Sequence, residues 1–260
     1  MRLEFVCCIA FLFSNPIWAE GPHHEGTLSS VNVGIRYSSV FENRGVILYR
    51  DFQIDPVLGI FLFDDRLEFL ADSIGYRDFI VKDVLRLRSR FVSLTDKPFF
   101  PAYKSIKNGL PSRPDTYEWS SQAELFLPGY NSNYALEVDL SYAKDIATHH
   151  GNYFELQSKI KLFDFRLPRV GTKIEPNLYA SAGWGDSNHN LYFYGPAAGV
   201  SGFNNLSYGI WFALPEEADR YYPIIQIKHF ETIGRFRQGQ FAEGRSDGWL
   251  FSFIATAGIL

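Results

Sequence analysis

Tyr134-Ala135-Leu136-Glu137-Val138-Asp139-Leu140-Ser141-Tyr142-Ala143 decides the fold of this chain. Every second residue is large and apolar, and a period of two places alternate side chains on opposite faces of one β-strand. One face therefore carries Tyr134, Leu136, Val138, Leu140 and Tyr142, and the other carries Glu137 and Asp139 between small residues. A strand that is oily on one side and ionised on the other suits the wall of a barrel in lipid, with the charges turned into the lumen.

The same pattern recurs outward from this stretch. About 83–95 sets Leu85, Leu87 and Phe91 against Arg86, Arg88 and Arg90. Three arginines on one strand face cannot point into lipid, where each costs ~2–4 kcal/mol near the midplane. About 115–128 supplies partners, with Glu118, Gln122 and Glu124 opposite Tyr117, Trp119, Leu125 and Leu127. About 152–165 places Phe154, Leu156, Ile160 and Leu162 against Glu155, Gln157, Lys159 and Lys161. The expected lumen charge network is thus Arg86, Arg88, Arg90, Glu118, Glu124, Glu137, Asp139, Glu155, Lys159 and Lys161. Either it plugs the lumen with ion pairs, which is the favoured reading, or it lines a small ion-selective pore.

Further strands are expected at about 28–41, 46–54, 58–64, 66–78, 172–186, 204–215, 221–234 and 248–260, with breaks at Asp55-Pro56 and Asp64-Asp65. Together they make an all-β, antiparallel transmembrane barrel of about twelve strands over 28–260. That parity puts the links at 55–57, 79–82, 129–131, 166–171 and 216–220 on the side of the termini. The three longest, 96–114, 187–203 and 236–247, fall on the other side, the asymmetry of bacterial outer-membrane barrels. Tyr130, Tyr134, Trp184, Tyr192, Tyr194, Tyr221 and Tyr222 lie near expected strand ends and suit an interfacial girdle. The ending at Leu260 is unusual, since such strands generally finish on an aromatic residue.

Bulk properties agree. The 260 residues include 15 Tyr and 24 Phe, with 17% aromatic content and a formal net charge of -4. This mild acidity argues against a nucleic-acid surface. Arg2, the apolar stretch Phe5–Phe13 and Ala19 before Glu20 have the outline of an export signal over 1–19, followed by a short lead over 20–27. Both cysteines, Cys7 and Cys8, fall in that segment, so the exported chain has no thiol chemistry.

From Asp139 onward the chain resembles the MipA/OmpV family of outer-membrane proteins. The resemblance is carried by Asp145, His150 and Gly151, by Trp184 and Asp186 closing one strand, and by Tyr192, Tyr194 and Gly195. It implies a non-enzymatic barrel of the Gram-negative cell envelope, set in outer-membrane lipid, that scaffolds a murein hydrolase beside a murein synthase. The turns Leu167-Pro168-Arg169 and Glu216–Arg220 are the expected docking elements. The resemblance implies no catalytic residue, cofactor or metal ligand.

Two other readings compete. One is a small porin-like channel with an Arg/Glu-lined lumen. The other is a barrel hydrolase, using His149 or His189 with Asp145, Asp186 and Ser187, or Asp64-Asp65 with Asp145 and His149 as a protease-like set. His23 and His24, lacking a third ligand, read as tail rather than metal site.

Overall fold

The computed structural model describes residues 28–39, 41–44, 46–49, 53–70, 72–94, 115–127, 136–166, 173–214, 221–239 and 246–258. The export segment, the lead with His23 and His24, Tyr130, Tyr134, the turns at 167–169 and 216–220 and the terminal Leu260 lie outside the described residues.

Fifteen strands are present among these residues: β1 (Leu28–Ser38), β2 (Phe41–Asn43), β3 (Val46–Tyr49), β4 (Gln53–Leu62), β5 (Leu67–Leu70), β6 (Ser73–Val81), β7 (Leu85–Leu94), β8 (Thr116–Leu127), β9 (Leu136–Asp145), β10 (Asn152–Lys161), β11 (Phe165–Arg166), β12 (Lys173–Gly185), β13 (Gly202–Ala213), β14 (Tyr221–Thr232) and β15 (Asp247–Gly258). Twelve of them close a barrel in the order β1-β4-β5-β6-β7-β8-β9-β10-β12-β13-β14-β15, every pair antiparallel. β15 returns to β1 with Ser252 opposite Ser38. The two-residue β11 pairs with the foot of β12. No helix among the described residues is long and apolar enough to cross a membrane.

The wall is turned as the alternation requires. Leu140, Phe91, Leu156, Ile35 and Phe251 point outward and are about half exposed, whereas Asp139, Arg90, Glu124, Lys159 and Gln226 are buried inside. Near the rim opposite the termini, outward rings form contiguous rows. Phe154 lies between Tyr142 and Trp184, with centroids 4.9 and 5.7 Å away, and His229 lies between Tyr208 and Trp249 at 5.0 and 4.9 Å.

The early strands depart from expectation. Residues 46–54 and 58–64 do not form two wall strands; β4 runs straight through Asp55-Pro56, and β2 and β3 form a separate hairpin outside the wall order. β5 pairs with β4 only from Gly59 onward, so Pro56 sits on a strand edge, where a residue without an amide N–H is tolerated. The Asp64-Asp65 break is real and is a turn with positive φ at Phe63, Asp64 and Asp65. The 66–78 segment contributes two antiparallel wall strands, β5 and β6, instead of one, which restores the wall-strand count. Twelve strands and the same sidedness beyond residue 79 result.

The lower lumen, toward the termini, is lined by two unlike halves. Val57, Trp211, Ile224 and Ile254 pack together on one side. Charged side chains of β5 to β10 occupy the other, and Lys159 Nζ meets them at the Trp211 ring, 5.9 Å from its centroid.

Candidate functional site

The charged half begins on β5 and β7. Arg88 donates to both oxygens of Glu68, Nε to Oε1 at 2.6 Å and Nη2 to Oε2 at 2.7 Å, a two-pronged pairing that fixes both side chains. Arg90 Nε lies 3.9 Å from the same carboxylate. β6 stands between these strands, and its lumen-facing residue there is Gly75. A Cβ at Gly75 would meet Arg90 Cγ at 2.3 Å and Glu68 Oε1 at 3.0 Å. The missing side chain leaves room for the Arg90 stem and the Glu68 carboxylate to approach each other across β6.

Glu124 on β8 takes the Arg86 Nε–H and sits 3.8 Å from Arg88 Nη1. On β9, Glu137 and Asp139 are both served by Lys159 of β10, the second at 3.4 Å. Lys161 reaches Glu175 at 3.4 Å and Asp164 at 3.5 Å. The expected network residues therefore lie on lumen-facing wall positions, and Glu124 meets the arginine row as expected, but the other pairings differ. Arg88 takes Glu68 as its main partner, a residue the sequence reading missed. Glu118 takes Arg44, and Glu137 and Asp139 take a lysine rather than the arginine row. Arg36–Asp55 at 2.8 Å and Arg77–Asp65 at 3.5 Å are further unforeseen pairs.

Above this layer the lumen opens into a cavity of about 150 Å3. Small residues, Ser120, Ser141, Ala143 and Ser207, face it from β8, β9 and β13 and leave the space. Its charges are four carboxylates, Asp72, Glu118, Asp139 and Glu155, against Arg44, Arg90 and Lys228. Tyr153 also lines it, reaching over Gly183 of β12 to place its hydroxyl 3.1 Å from Asn205 Oδ1. A Cβ at Gly183 would stand 2.2 Å from that hydroxyl.

A cover lies over the cavity on the side away from the termini. The helix α1 (Ser187–Tyr194) starts because the Asp186 carboxylate accepts the His189 N–H at 2.9 Å, an N-cap, and it stops at Gly195, whose φ is 96°. Asp186 also holds Asn152 through its backbone N–H at 2.9 Å. Asn190 donates to Gly185 O at 2.9 Å and Val200 O at 2.7 Å and accepts from Asn204 at 2.7 Å, tying the helix to the β12–β13 rim. Phe193, Tyr194, Ala198 and Phe236 of this segment and of the short helical turn Gly234–Gln238 pack onto Val92 and Leu94 of the wall. Tyr192 and Tyr194 are accordingly no part of the interfacial girdle. Tyr194 is fully buried in the cover, because a capped helix turns its segment inward. Trp184 does face outward beside Phe154.

The β2–β3 hairpin completes the cover. Its tip residue Arg44 has a left-handed backbone, φ 50°, and its carbonyl accepts the Tyr194 hydroxyl at 2.8 Å. The Arg44 guanidinium donates to Glu118 Oε2 at 2.6 Å and lies 3.2 Å from His189 Nδ1. Its central carbon stands 4.2 Å from the Tyr153 ring centroid and 4.6 Å from that of Phe193. Burial alone would make this guanidinium easier to deprotonate, but the Glu118 carboxylate outweighs it and raises its pKa above the usual value.

This packing decides what the histidines do. Glu118, His149 and His189 bring donor atoms within 4.8 Å of one another, a spacing that suits a metal ion. Arg44, however, is the cation of that cluster, bonded to two of the three. The third, His149, accepts the Gly151 N–H on Nδ1 at 3.0 Å and turns Nε2 toward Asp145 at 3.3 Å. Asp145 in turn accepts the backbone N–H groups of Ala147, Thr148, His149 and His150 within 3.2 Å. His150 takes a left-handed backbone, φ 54°, in that loop, and Gly151 packs on the His189 backbone. Asp145 is thus a loop organiser. The protease-like set does not assemble either, since Asp64-Asp65 turns at the rim of the termini and Asp145 and His149 lie at the opposite rim.

No family model matches the chain, and no curated protein matches it. Among solved structures it is similar to the COG4313 outer membrane channel from Pseudomonas putida F1, at 11% identity and TM-score 0.40, over 94% of this chain and 99% of that one. It is also similar to Ail, the attachment invasion locus protein of Yersinia pestis, at 10% identity and TM-score 0.17, over 90% and 98%. With likenesses this slight, function is read from the lumen and its cover.

Proposed function

We propose that this chain is an outer-membrane β-barrel acting as a closable conduit for small polar solutes, held shut in this conformation. The observation that carries the reading is the cavity: a charged, hollow lumen section lies beneath a cover built from a helix and a hairpin, neither of which is a wall strand. A barrel serving only as a rigid post has no use for a hollow section under a separable cover. The outward apolar belt with its ring rows, and the export-like N-terminal segment, support placement in the outer membrane. Planar-bilayer recording tests it: rare, small openings are expected from the native chain and frequent openings from Arg44→Ala. Silence of both would remove the reading.

A second reading is the envelope scaffold implied by the MipA/OmpV resemblance, whose residues here serve the fold. Asp145, Asp186, Tyr194 and Gly195 all build the covered rim. Docking of a periplasmic murein hydrolase and synthase would fall to the turns at 167–169 and 216–220. Replacing both turns with Gly-Ser is expected to abolish co-purification of such enzymes; unchanged capture would remove the scaffold reading.

A further inference from the structure

We infer that the slot occupied by Arg44 is a receptor for guanidinium-bearing solutes, with Arg44 as its tethered occupant. The inference deepens the conduit reading by naming the class of solute that unlatches the cover.

The slot has every element of guanidinium recognition. Glu118 offers a carboxylate at 2.6 Å, His189 offers an imidazole nitrogen at 3.2 Å, and the rings of Tyr153 and Phe193 stand 4.2 and 4.6 Å from the guanidinium carbon. A planar, weakly hydrated cation satisfies ring faces and carboxylate together, which a compact ammonium does less well. The ring walls and the imidazole of the slot are held without help from its occupant. Tyr153 is set by Asn205, and His189 stacks on both rings with centroids at 4.8 and 4.4 Å.

The occupant, by contrast, is held from a left-handed non-glycine tip, a backbone state that stores strain. Its departure would also change the cavity below: four carboxylates would then face two cations, Arg90 and Lys228, so the vacated space attracts a replacement positive charge. A free solute bearing the same head group competes for the slot and releases the hairpin tip.

The test is isothermal titration of the detergent-solubilised Arg44→Ala chain, checked for heat-modifiable migration, with methylguanidinium, methylammonium and urea as probes. One saturable methylguanidinium site is expected, at least about tenfold tighter than methylammonium and absent for urea. Adding Glu118→Gln is expected to weaken it about tenfold or more. Equal binding of methylguanidinium and methylammonium, or none of either, would overturn the receptor. If Arg44→Ala does not fold, Arg44→Gln serves as host with the same two outcomes. If neither folds, the native chain is recorded in bilayers, where millimolar methylguanidinium must raise opening above the methylammonium level; no difference overturns the inference. Calorimetry reads binding without current, so a receptor that fails in a chain that still conducts leaves the conduit reading intact. A receptor that binds in a chain that never conducts removes only the conduit.

Discussion

Glu68 and Arg88 face each other two strands apart, joined by hydrogen bonds of 2.6 and 2.7 Å, with the bare backbone of Gly75 beside the Glu68 carboxylate. Both side chains are buried. Breaking such a pair from one side leaves a buried arginine with only the looser Glu124 contact at 3.8 Å, so Glu68→Gln is expected to destabilise by about 3 kcal/mol. Glu68→Gln with Arg88→Met is expected to lose less than Glu68→Gln alone, read as urea unfolding from lipid vesicles. Additive losses would show that the two do not act as a pair.

Gly75→Val places two methyl groups where the Arg90 stem and the Glu68 carboxylate lie, and so displaces Glu68 from Arg88. The expected loss matches that of Glu68→Gln, and combining both substitutions adds little, because each removes the same interaction. A Gly75→Val chain as stable as the native one would contradict this geometry.

Asp186 starts the covering helix and also holds Asn152. Asp186→Ala is expected to cost about 1–2 kcal/mol, as lost N-caps do. It should expose residues 187–200 to limited proteolysis while the barrel keeps its heat-modifiable migration. Equal resistance of the two chains would show that the cover is held by packing alone.

Selectivity follows from the charges of the cavity. Once Arg44→Ala opens the mouth, four carboxylates against two cations predict a cation-preferring current. Glu118→Gln added to it is expected to shift the reversal potential in a salt gradient toward anions. An unchanged potential would mean that the ions take another path.

The wall was legible because its rule is local. In β9 and β7, each residue's face follows from parity, so the lumen positions of Asp139 and Arg88 could be read without knowing any neighbour. Pairing could not be read that way. Glu68 meets Arg88 across β6 because the register sets Gly75, with no side chain, beside Glu68, a relationship no single strand shows. The apolar run Val57–Phe63 hid the continuation of β4 back to Gln53, since a turn signal at Asp55-Pro56 reads the same on an edge strand as in a loop. The cover was least visible. Tyr194 looks like any rim tyrosine in sequence, and its burial depends on the Asp186 cap and on an Arg44 carbonyl 150 residues away.

The central claim is a wall with its apolar face in lipid and its charges inside, and β9 tests it with two adjacent residues. Leu140 points outward at mid-strand and Ser141 faces the cavity. For chains folded into phosphatidylcholine vesicles and unfolded with urea, Leu140→Arg is expected to lose about 2–4 kcal/mol and Ser141→Arg less than about 1 kcal/mol. Equal losses at the two positions, or a larger loss at Ser141, would contradict the account.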